Sequence, residues 1–285
     1  MSTRLPRLLR HPSAFVGLAI VSMMSGLSIA APQLTHHDPV KVQAGQALTA
    51  PNNRHPMGTD NLGRDVFARV VYGGRISLGY SSVATLLAAL LGAPLGLLTG
   101  YLGGRLDALA MRAMDLLLAF PRLLLALVLV AILGVGLINV TVAITISTIP
   151  FFARVIRGTV ITIRSEEFVT AAKAIGSPDW RIIWRHVLPN VVGHIIVLIT
   201  LSLAASIFAL SSLSFLGLGV QPPTPEWGVL ASRGRDMMRD AWWMSIFPGL
   251  AIAVTVLGVN LLGDGLRDYF DPRMLASNSR SAREP

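Results

Sequence analysis

Six long apolar runs, separated by polar segments, constrain the fold of this chain more than any other feature of its sequence. A helix needs about 20 mostly apolar residues to cross the hydrocarbon core of a bilayer. The runs that meet or approach this length are residues 13–31, 77–100, 116–133, 137–152, 191–216 and 245–266. Only 14% of the residues are charged, against about a quarter in typical soluble domains. Together these observations predict an all-α membrane protein with about six transmembrane helices.

The first run has two interpretations, because a cleaved signal peptide also begins with basic residues and ends with small ones. Arg4, Arg7 and Arg10 precede the run, and Ser28-Ile29-Ala30 lies near its end. The run is longer than the roughly 7–15 apolar residues of a signal-peptide core. We therefore expect residues 13–31 to be retained as the first transmembrane helix.

The distribution of basic residues predicts the orientation of the chain in the membrane. An even number of spans places both termini on the same side, and cytoplasmic segments are richer in Lys and Arg. Most of the 24 Lys and Arg residues become cytoplasmic if the termini are inside (N-in/C-in). We thus expect residues 1–12 and 271–285 to be cytoplasmic, residues 32–76 to be extracytoplasmic, and residues 77–270 to form the transmembrane domain. The basic cytoplasmic segments then account for the net charge of +9, so this charge does not indicate binding of nucleic acid.

A polar segment, residues 165–189, separates the fourth and fifth runs and has the pattern of a helical hairpin. Ser165 is a candidate N-cap of the first helix, and Gly176 fits the left-handed conformation that ends a helix. Pro178 suits the start of a second helix, which Pro189 is expected to end. Apolar residues at i, i+3, i+4 and i+7 predict one apolar face on that helix: Trp180, Ile183, Trp184 and Val187.

Three interpretations of this hairpin compete: a solvated loop, a DNA-reading helix-turn-helix, and a docking surface for a cytoplasmic partner. Glu166, Glu167 and Asp179 dilute its positive charge, and no linker separates it from the apolar runs, which argues against DNA. A stiff pair of helices joined to two membrane helices is suited to transmit movement between a partner and the membrane.

The hairpin resembles the EAA loop of ABC importer permeases, whose pattern is Glu-Ala-Ala, three residues, Gly, nine residues, then Ile-x-Leu-Pro. Two positions depart from the pattern, because Thr170 replaces the usual glutamate and His186 the usual isoleucine. In that family the loop forms a coupling helix that sits in a groove of the ATPase subunit. The resemblance implies that coupling contacts come from Thr170, Ala171, Ala172, Gly176, Asp179, Arg181, Leu188 and Pro189.

Four further segments resemble the dipeptide/oligopeptide/nickel branch of this family. They are HPMGTDNLGRDVFARVVYGGRISL (55–78), MDLLLAFPRLLLAL (114–127), SFLGLGVQPPTPEWG (214–228) and NLLGDGLRDYFDPR (260–273). The resemblance implies a type I ABC importer transmembrane domain in a bacterial or archaeal cytoplasmic (inner) membrane. It also implies several partners: a homologous B-type permease, one or two ABC ATPase subunits and an extracytoplasmic solute-binding protein.

These features predict a permease subunit that imports di- or oligopeptides, with nickel, glutathione or another small solute as alternatives. The chain has no GxxxxGK[ST] motif, so we expect no cofactor here, and ATP and Mg in the partner subunits. An ion-gradient-driven secondary transporter needs acidic residues deep in its spans, whereas Asp115 and Asp264 both lie near inner ends. A membrane enzyme is not expected either, because no clustered set of His, Asp and Glu residues within the spans or a loop suggests a catalytic site.

Polar residues within the runs are candidates for the substrate pathway. Asp115 and Arg122 are seven residues apart and would share a face of the third span, which Pro121 is expected to kink. Asn139 and Thr145 either line a cavity or form hydrogen bonds between helices. Glycines four residues apart predict close packing of the second span: Gly92, Gly96, Gly100 and Gly104.

Residues on the outer side are candidates either for a folded lid or for contact with the binding protein or an outer gate. They are Asp60, Arg64, Asp65, Glu226 and Trp227. The neighbouring His36-His37-Asp38 resembles a metal-binding cluster, but adjacent histidines do not easily face one ion and no third ligand is obvious. We therefore expect no metal site.

Overall fold

The computed structural model describes residues 12–270, in which the secondary structure is helical apart from an isolated bridge between Thr59 and Asp65. The predicted cytoplasmic termini lie outside these residues, except for Pro12. The α-helices are α1 (Pro12–Ile29), α2 (Ala31–Leu34), α3 (Val66–Leu102), α4 (Gly104–Leu118), α5 (Arg122–Leu133), α6 (Leu137–Arg164), α7 (Glu167–Ala174), α8 (Asp179–Ile182), α9 (Leu188–Phe215), α10 (Trp227–Arg235) and α11 (Trp243–Phe270). A 3₁₀ turn covers Ala44–Gln46, and a π-helical turn covers Ile183–Val187.

The number of spans agrees with the prediction of about six. Five helical segments of the described chain are long and apolar enough to cross a membrane, and the bent pair α4–α5 gives a sixth if it counts as one span. The second membrane span, α3, begins at Val66 rather than at the predicted Ser77. The hydropathy pattern missed its first turns because they carry Arg69 and Arg75, whose guanidinium groups donate to backbone carbonyls within the chain.

The third span is not the continuous helix predicted for residues 116–133. The chain turns by 89° between α4 and α5, at residues 119–121, where Pro121 precedes the first residue of α5. Proline has no N–H to continue the hydrogen bonds of α4, and it disfavours helical geometry in the residue before it. The predicted kink at Pro121 is confirmed, but it separates two helices rather than bending one.

The centre of the bundle is the contact between α3 and α6, which glycine makes possible. A Cβ atom on Gly92 would lie 2.6 Å from the carbonyl oxygen of Ile149, and one on Gly96 would lie 2.4 Å from that of Ala153. Gly100 approaches the next turn of α6 in the same way. The predicted glycine packing is confirmed for these three residues and wrong for Gly104. Gly104 begins α4 at a φ of +66°, and a Cβ atom on it would have no neighbouring atom within 4 Å.

The first helix is held to the last by the same kind of contact. A Cβ atom on Gly17 of α1 would lie 2.3 Å from the backbone nitrogen of Leu262 in α11, and one on Gly265 would lie 2.4 Å from Cβ of Ala14. Such short approaches are typical of membrane helices that pack through small residues. The first apolar run is therefore an integral part of the helical bundle in this structure.

Candidate functional site

The polar hairpin forms α7 and α8, which connect α6 to α9. Its caps differ in part from the prediction, because Glu166 rather than Ser165 is the N-cap residue of α7. The Ser165 hydroxyl instead donates to the Thr162 carbonyl at 2.7 Å and so closes the end of α6. Gly176 has a φ of +77°, which confirms the left-handed turn after α7. The second helix, α8, begins at Asp179, one residue later than predicted, and Pro178 is its N-cap residue.

The second half of the hairpin does not end at Pro189, contrary to the prediction. It passes through the π-helical turn Ile183–Val187 into α9, and the Leu188 N–H donates to the carbonyl of Ile183. Pro189 has no N–H for the regular bond to the carbonyl four residues earlier, and a widened turn just before it accommodates this loss.

The predicted apolar face is formed in part. Trp180, Ile183 and Trp184 line one apolar surface pocket, in which the two tryptophans are 62% and 68% exposed. Val187 departs from this face, because it is buried in the core together with Ile182. A regular 3.6-residue period does not hold across a turn that bonds to the fifth preceding residue.

A single tyrosine fixes the hairpin to the inner end of α3. The Tyr101 hydroxyl donates to Asp179 Oδ1 at 2.7 Å, and its side chain is almost fully buried. The Lys173 ammonium lies 5.0 Å from the centre of the tyrosine ring, and the Arg164 guanidinium lies 5.8 Å from it, both within the range of cation–π attraction. Sequence reasoning missed Tyr101, although it is the only residue with a hydroxyl between Gly100 and α4.

The predicted coupling residues divide between the surface and the interior. Ala172 is buried in the core that also contains Val169 and Ile182, and Leu188 is half-buried. The remaining six are exposed and available to a partner: Thr170, Ala171, Gly176, Asp179, Arg181 and Pro189. Ile175 was not predicted, yet it is 83% exposed at the turn.

The four predicted pathway residues do not converge on one site. Asp115 of α4 forms an exposed ion pair with Arg154 of α6, and the Asn139 side-chain amide donates to the carbonyls of residues 133 and 134 at the outer turn. The Thr145 hydroxyl bonds to the Thr141 carbonyl and lies 3.3 Å from that of Ala84. Asp115 does not share a helical face with Arg122, because the 89° break separates them.

Arg122 lies apart from those residues, against hydroxyl groups of α9 and α3. Its Nη2 donates to Ser206 Oγ at 3.1 Å, and Ser206 Oγ lies 3.0 Å from Thr85 Oγ1. The buried Nε of Arg122 has no hydrogen-bond partner within the described chain, and neither do the hydroxyl groups of Ser81 and Ser202. Arg122 is therefore the predicted pathway residue that retains unused hydrogen-bonding capacity.

The outer residues form a buried network that fastens the loop before α3. Asp60 Oδ2 accepts from Arg64 Nε at 2.7 Å, and Asp65 Oδ1 caps α3 by accepting from the Ala68 N–H at 2.6 Å. Asp60, Arg64 and Asp65 are each no more than 5% exposed. Their side chains therefore hold a folded lid together, as one of the two interpretations predicted, and their contact with a binding protein stays a prediction.

Glu226 and Trp227 fasten α10 to α3 from the other side of the lid. Glu226 is the N-cap residue of α10: its Oε2 accepts from the Val229 N–H, and its Oε1 accepts from the Ser77 hydroxyl, both at 3.0 Å. The Trp227 indole donates to the Val70 carbonyl at 2.8 Å. Burial raises the pKa of the Glu226 carboxyl, and the hydrogen bonds that it accepts oppose this shift.

The histidine segment is more organised than the sequence suggested. The His37 ring lies 5.1 Å from that of His55, whose Nδ1 is 2.8 Å from Asp65 Oδ2. His37, His55 and Asp65 thus bring three potential metal ligands within 4.8 Å of one another, and the expectation that no third ligand is near was wrong. Both ring nitrogens of His55 already have partners, since Nε2 lies 3.0 Å from Gln46 Oε1. The absence of a metal site stays a prediction.

Comparison with known proteins identifies the family. Residues 92–276 match the family described as binding-protein-dependent transport system inner membrane component, and residues 4–54 match the N-terminal transmembrane domain of oligopeptide transport permease C. The chain is a binding-protein-dependent transport permease. This confirms the predicted family and its all-α, multi-pass membrane architecture, and it makes the chain a transport component rather than an enzyme.

Similar permeases differ in the solute that their names specify. A dipeptide transport system permease protein of Alkalihalophilus pseudofirmus is 44% identical over 94% of this chain and 88% of its own length. A glutathione transport system permease protein of Pectobacterium atrosepticum is 46% identical over 79% and 74%. A probable D,D-dipeptide transport system permease protein of Escherichia coli is 40% identical over 92% and 88%.

The fold of the permease also matches a solved structure. A chain from inward-facing structures of the MetNI methionine ABC transporter superposes with a TM-score of 0.59 at 18% sequence identity, over 70% of this permease and 96% of that chain. This likeness supports the fold alone. It confirms the predicted type I ABC importer transmembrane domain.

Proposed function

We propose that this permease is the subunit of an ATP-driven importer of di- or oligopeptides that couples to its ATPase through residues 165–189. The names of the dipeptide and D,D-dipeptide relatives support the cargo class. The glutathione relatives, at similar identity, keep small peptide-like solutes open as the alternative. Nickel and other small solutes remain alternatives on the sequence resemblance alone.

The observation that carries the coupling role is a hairpin with one fixed side and one free side. Its inner side packs in the core through Val169 and Ile182 and is bonded to Tyr101, whereas six of the predicted coupling residues are exposed. A movement of a partner docked on that free side would pass directly into α6 and α9, which flank the hairpin. The partner docked on the free side is an ABC ATPase subunit, and ATP and Mg bind to that subunit rather than to this chain.

The remaining partners complete the importer in a bacterial or archaeal cytoplasmic membrane. A homologous B-type permease forms the other half of the membrane domain, and a solute-binding protein delivers the cargo to the outer side. Asp60, Arg64 and Asp65 are no more than 5% exposed, so they contribute to the contact with this protein by holding the lid surface in place. Glu226 and Trp227 have the same supporting role.

Gly176→Pro in the reconstituted importer tests the coupling role. Proline requires a φ near −65°, whereas Gly176 has +77°, and its N–H donates to the Lys173 carbonyl. The proline ring cannot adopt this conformation, so the turn after α7 must rearrange, and we expect peptide uptake per ATP hydrolysed to fall by at least about tenfold, which corresponds to about 1.4 kcal/mol. Ala172→Asp should act in the same direction, because it buries a charge in the hairpin core.

Gly176→Asn is the matched control, because asparagine tolerates the left-handed conformation. It should retain nearly the wild-type ratio of uptake to ATP hydrolysis. Wild-type uptake and normal assembly of the Gly176→Pro complex would contradict the proposed docking site. Ligand binding by the solute-binding protein encoded with this permease identifies the cargo independently.

A further inference from the structure

Arg122 occupies a position inside the membrane domain where an isolated charge is unfavourable. It is the first of the 12 residues of α5, which rise about 18 Å to the outer turn. That distance places it within a hydrocarbon core about 30 Å thick. An arginine at such depth is costly and in most cases serves a function.

The charge of Arg122 is not neutralised within residues 12–270. Two arginines of α6 have acidic partners on α4, since Arg154 pairs with Asp115 and Arg157 with Asp107. Arg122 has only the Ser206 hydroxyl, and none of the ion pairs in this part of the chain includes it. It also begins a helix, where the helix dipole adds positive potential. An anion is therefore needed beside this guanidinium group.

The surroundings of Arg122 can take up a polar ligand. Its side chain is half-buried, and the hydrogen bond to Ser206 orients the guanidinium group. The remaining N–H groups are left for hydrogen bonds to a ligand. Ser202 lies one turn before Ser206 on α9, and Ser81 lies one turn before Thr85 on α3; the hydroxyl groups of Ser81 and Ser202 are buried without a partner in the described structure. Buried hydroxyl groups are nearly always hydrogen-bonded, but Ser81 and Ser202 are 0% and 2% exposed, so the half-buried guanidinium group of Arg122 is the part of this region that a ligand can reach.

We propose that Arg122 binds the C-terminal carboxylate of the peptide during its passage through the permease. This inference rests on the proposed peptide import. The terminal carboxylate is common to all peptides with a free C-terminus, whatever their side chains, and guanidinium groups bind carboxylates through two parallel hydrogen bonds. One fixed cation in the pathway thus serves cargo of varied sequence. The rival occupant is an acidic side chain of the homologous permease subunit.

Uptake of matched cargo by the complete reconstituted importer separates the two occupants. The cargo is a dipeptide and its C-terminal amide, each supplied bound to the solute-binding protein. Arg122→Met keeps an unbranched apolar side chain similar to the arginine stem and removes the charge, and we expect uptake of the free acid to fall by about tenfold while uptake of the amide changes little. Arg122→Lys should give an intermediate loss for the acid. Arg105→Met is the control, because Arg105 is exposed on α4.

A second measurement does not depend on whether the binding protein accepts the amide. The chain has no cysteine, so Arg122→Cys introduces one thiol into this subunit. Modification of that thiol with a cationic methanethiosulfonate should restore uptake of the free acid. A neutral reagent of similar size should not restore it.

The outcomes separate this inference from the function on which it rests. If the wild-type importer takes up neither cargo, the proposed peptide import itself is wrong. If the wild type imports the dipeptide but Arg122→Met lowers acid and amide uptake equally or not at all, Arg122 does not bind the carboxylate. Equal effects of the cationic and neutral reagents would lead to the same conclusion, and an acid of the partner permease would then be the counter-ion.

Discussion

The hydrogen bond from Tyr101 to Asp179 allows a direct test of how the hairpin is held. Tyr101→Phe removes only the hydroxyl group and keeps the ring that contacts Lys173 and Arg164. A hydrogen bond to a charged acceptor contributes about 1.5–3 kcal/mol. Because the Asp179 carboxylate is exposed to solvent, we reduce this value to about 1 kcal/mol. The docked state of the hairpin should then be disfavoured by about fivefold.

The assay is peptide uptake per ATP hydrolysed by the reconstituted importer. We expect this ratio to fall by up to about fivefold in Tyr101→Phe, while basal ATP hydrolysis persists. Tyr80→Phe is the matched control: Tyr80 is on the same helix and 36% exposed, and no side-chain hydrogen bond involves it within the described chain. An equal ratio in wild type and Tyr101→Phe, with the complex intact, would refute the anchoring role.

A double-mutant cycle assigns the effect to the pair rather than to either residue. Asp179→Ala and the double variant complete the cycle with Tyr101→Phe. The two single effects should not add, and the interaction free energy should be about 1 kcal/mol. Additive effects would mean that Tyr101 and Asp179 act independently.

Two further predictions concern packing and pH. Gly96→Ala places a Cβ atom 2.4 Å from the Ala153 carbonyl, so we expect a loss of roughly 1–3 kcal/mol, measured by thermal unfolding of the purified protein in detergent. Gly79→Ala, on the same helix with no atom within 4 Å, should be neutral or stabilising by about 0.5–1 kcal/mol, and equal effects would contradict the close contact. Glu226→Gln keeps an acceptor for α10 and removes the buried charge. Because the folded-state pKa of Glu226 is raised, the wild type loses stability as pH rises above the ordinary value of 4.5. The stability difference in favour of the Gln variant should therefore grow as pH rises through that range. Parallel curves of stability against pH for the two proteins would contradict the raised pKa.

The number and order of the membrane helices were predictable, because span length and hydropathy are local properties of the chain. The runs 137–152 and 245–266 lie within long helices of the structure, and the run 191–216 does so except for its last residue, Leu216, which caps α9. The start of α3 was not predictable in the same way. Its first turns carry Arg69, which hydropathy counts as a surface residue, whereas in the fold it is 1% exposed and bonded to Pro39.

The coupling segment was predicted in outline and corrected in detail. Gly176 has the left-handed conformation that its position after α7 requires, because glycine adopts a positive φ without steric cost. The predicted apolar face of the second helix holds for Trp180, Ile183 and Trp184 but not for Val187, since a π-helical turn at Ile183–Val187 changes the register just before Pro189. Periodicity assumes regular geometry, and a proline that follows within two residues removes that assumption.

The sequence alone did not predict which groups pair with the charged side chains. Asp115 and Arg122 were expected to share a helical face, but the structure joins Asp115 to Arg154, and Arg122 to Ser206, which is 84 residues away along the chain. Such distant pairs depend on how the helices pack, and spacing along one helix carries no information about the neighbouring helix.

By itself, the sequence determined the class of the molecule: a membrane protein with about six spans and a capped polar hairpin between the fourth and fifth. These properties follow from composition, run length and the conformations open to glycine and proline, all of which act over a few residues. Only the tertiary structure decided which side of the hairpin is free, that Asp60 and Glu226 support a buried lid, and that Arg122 forms no ion pair within residues 12–270. Burial and charge compensation depend on atoms from distant helices, and those atoms come together only when the bundle is packed.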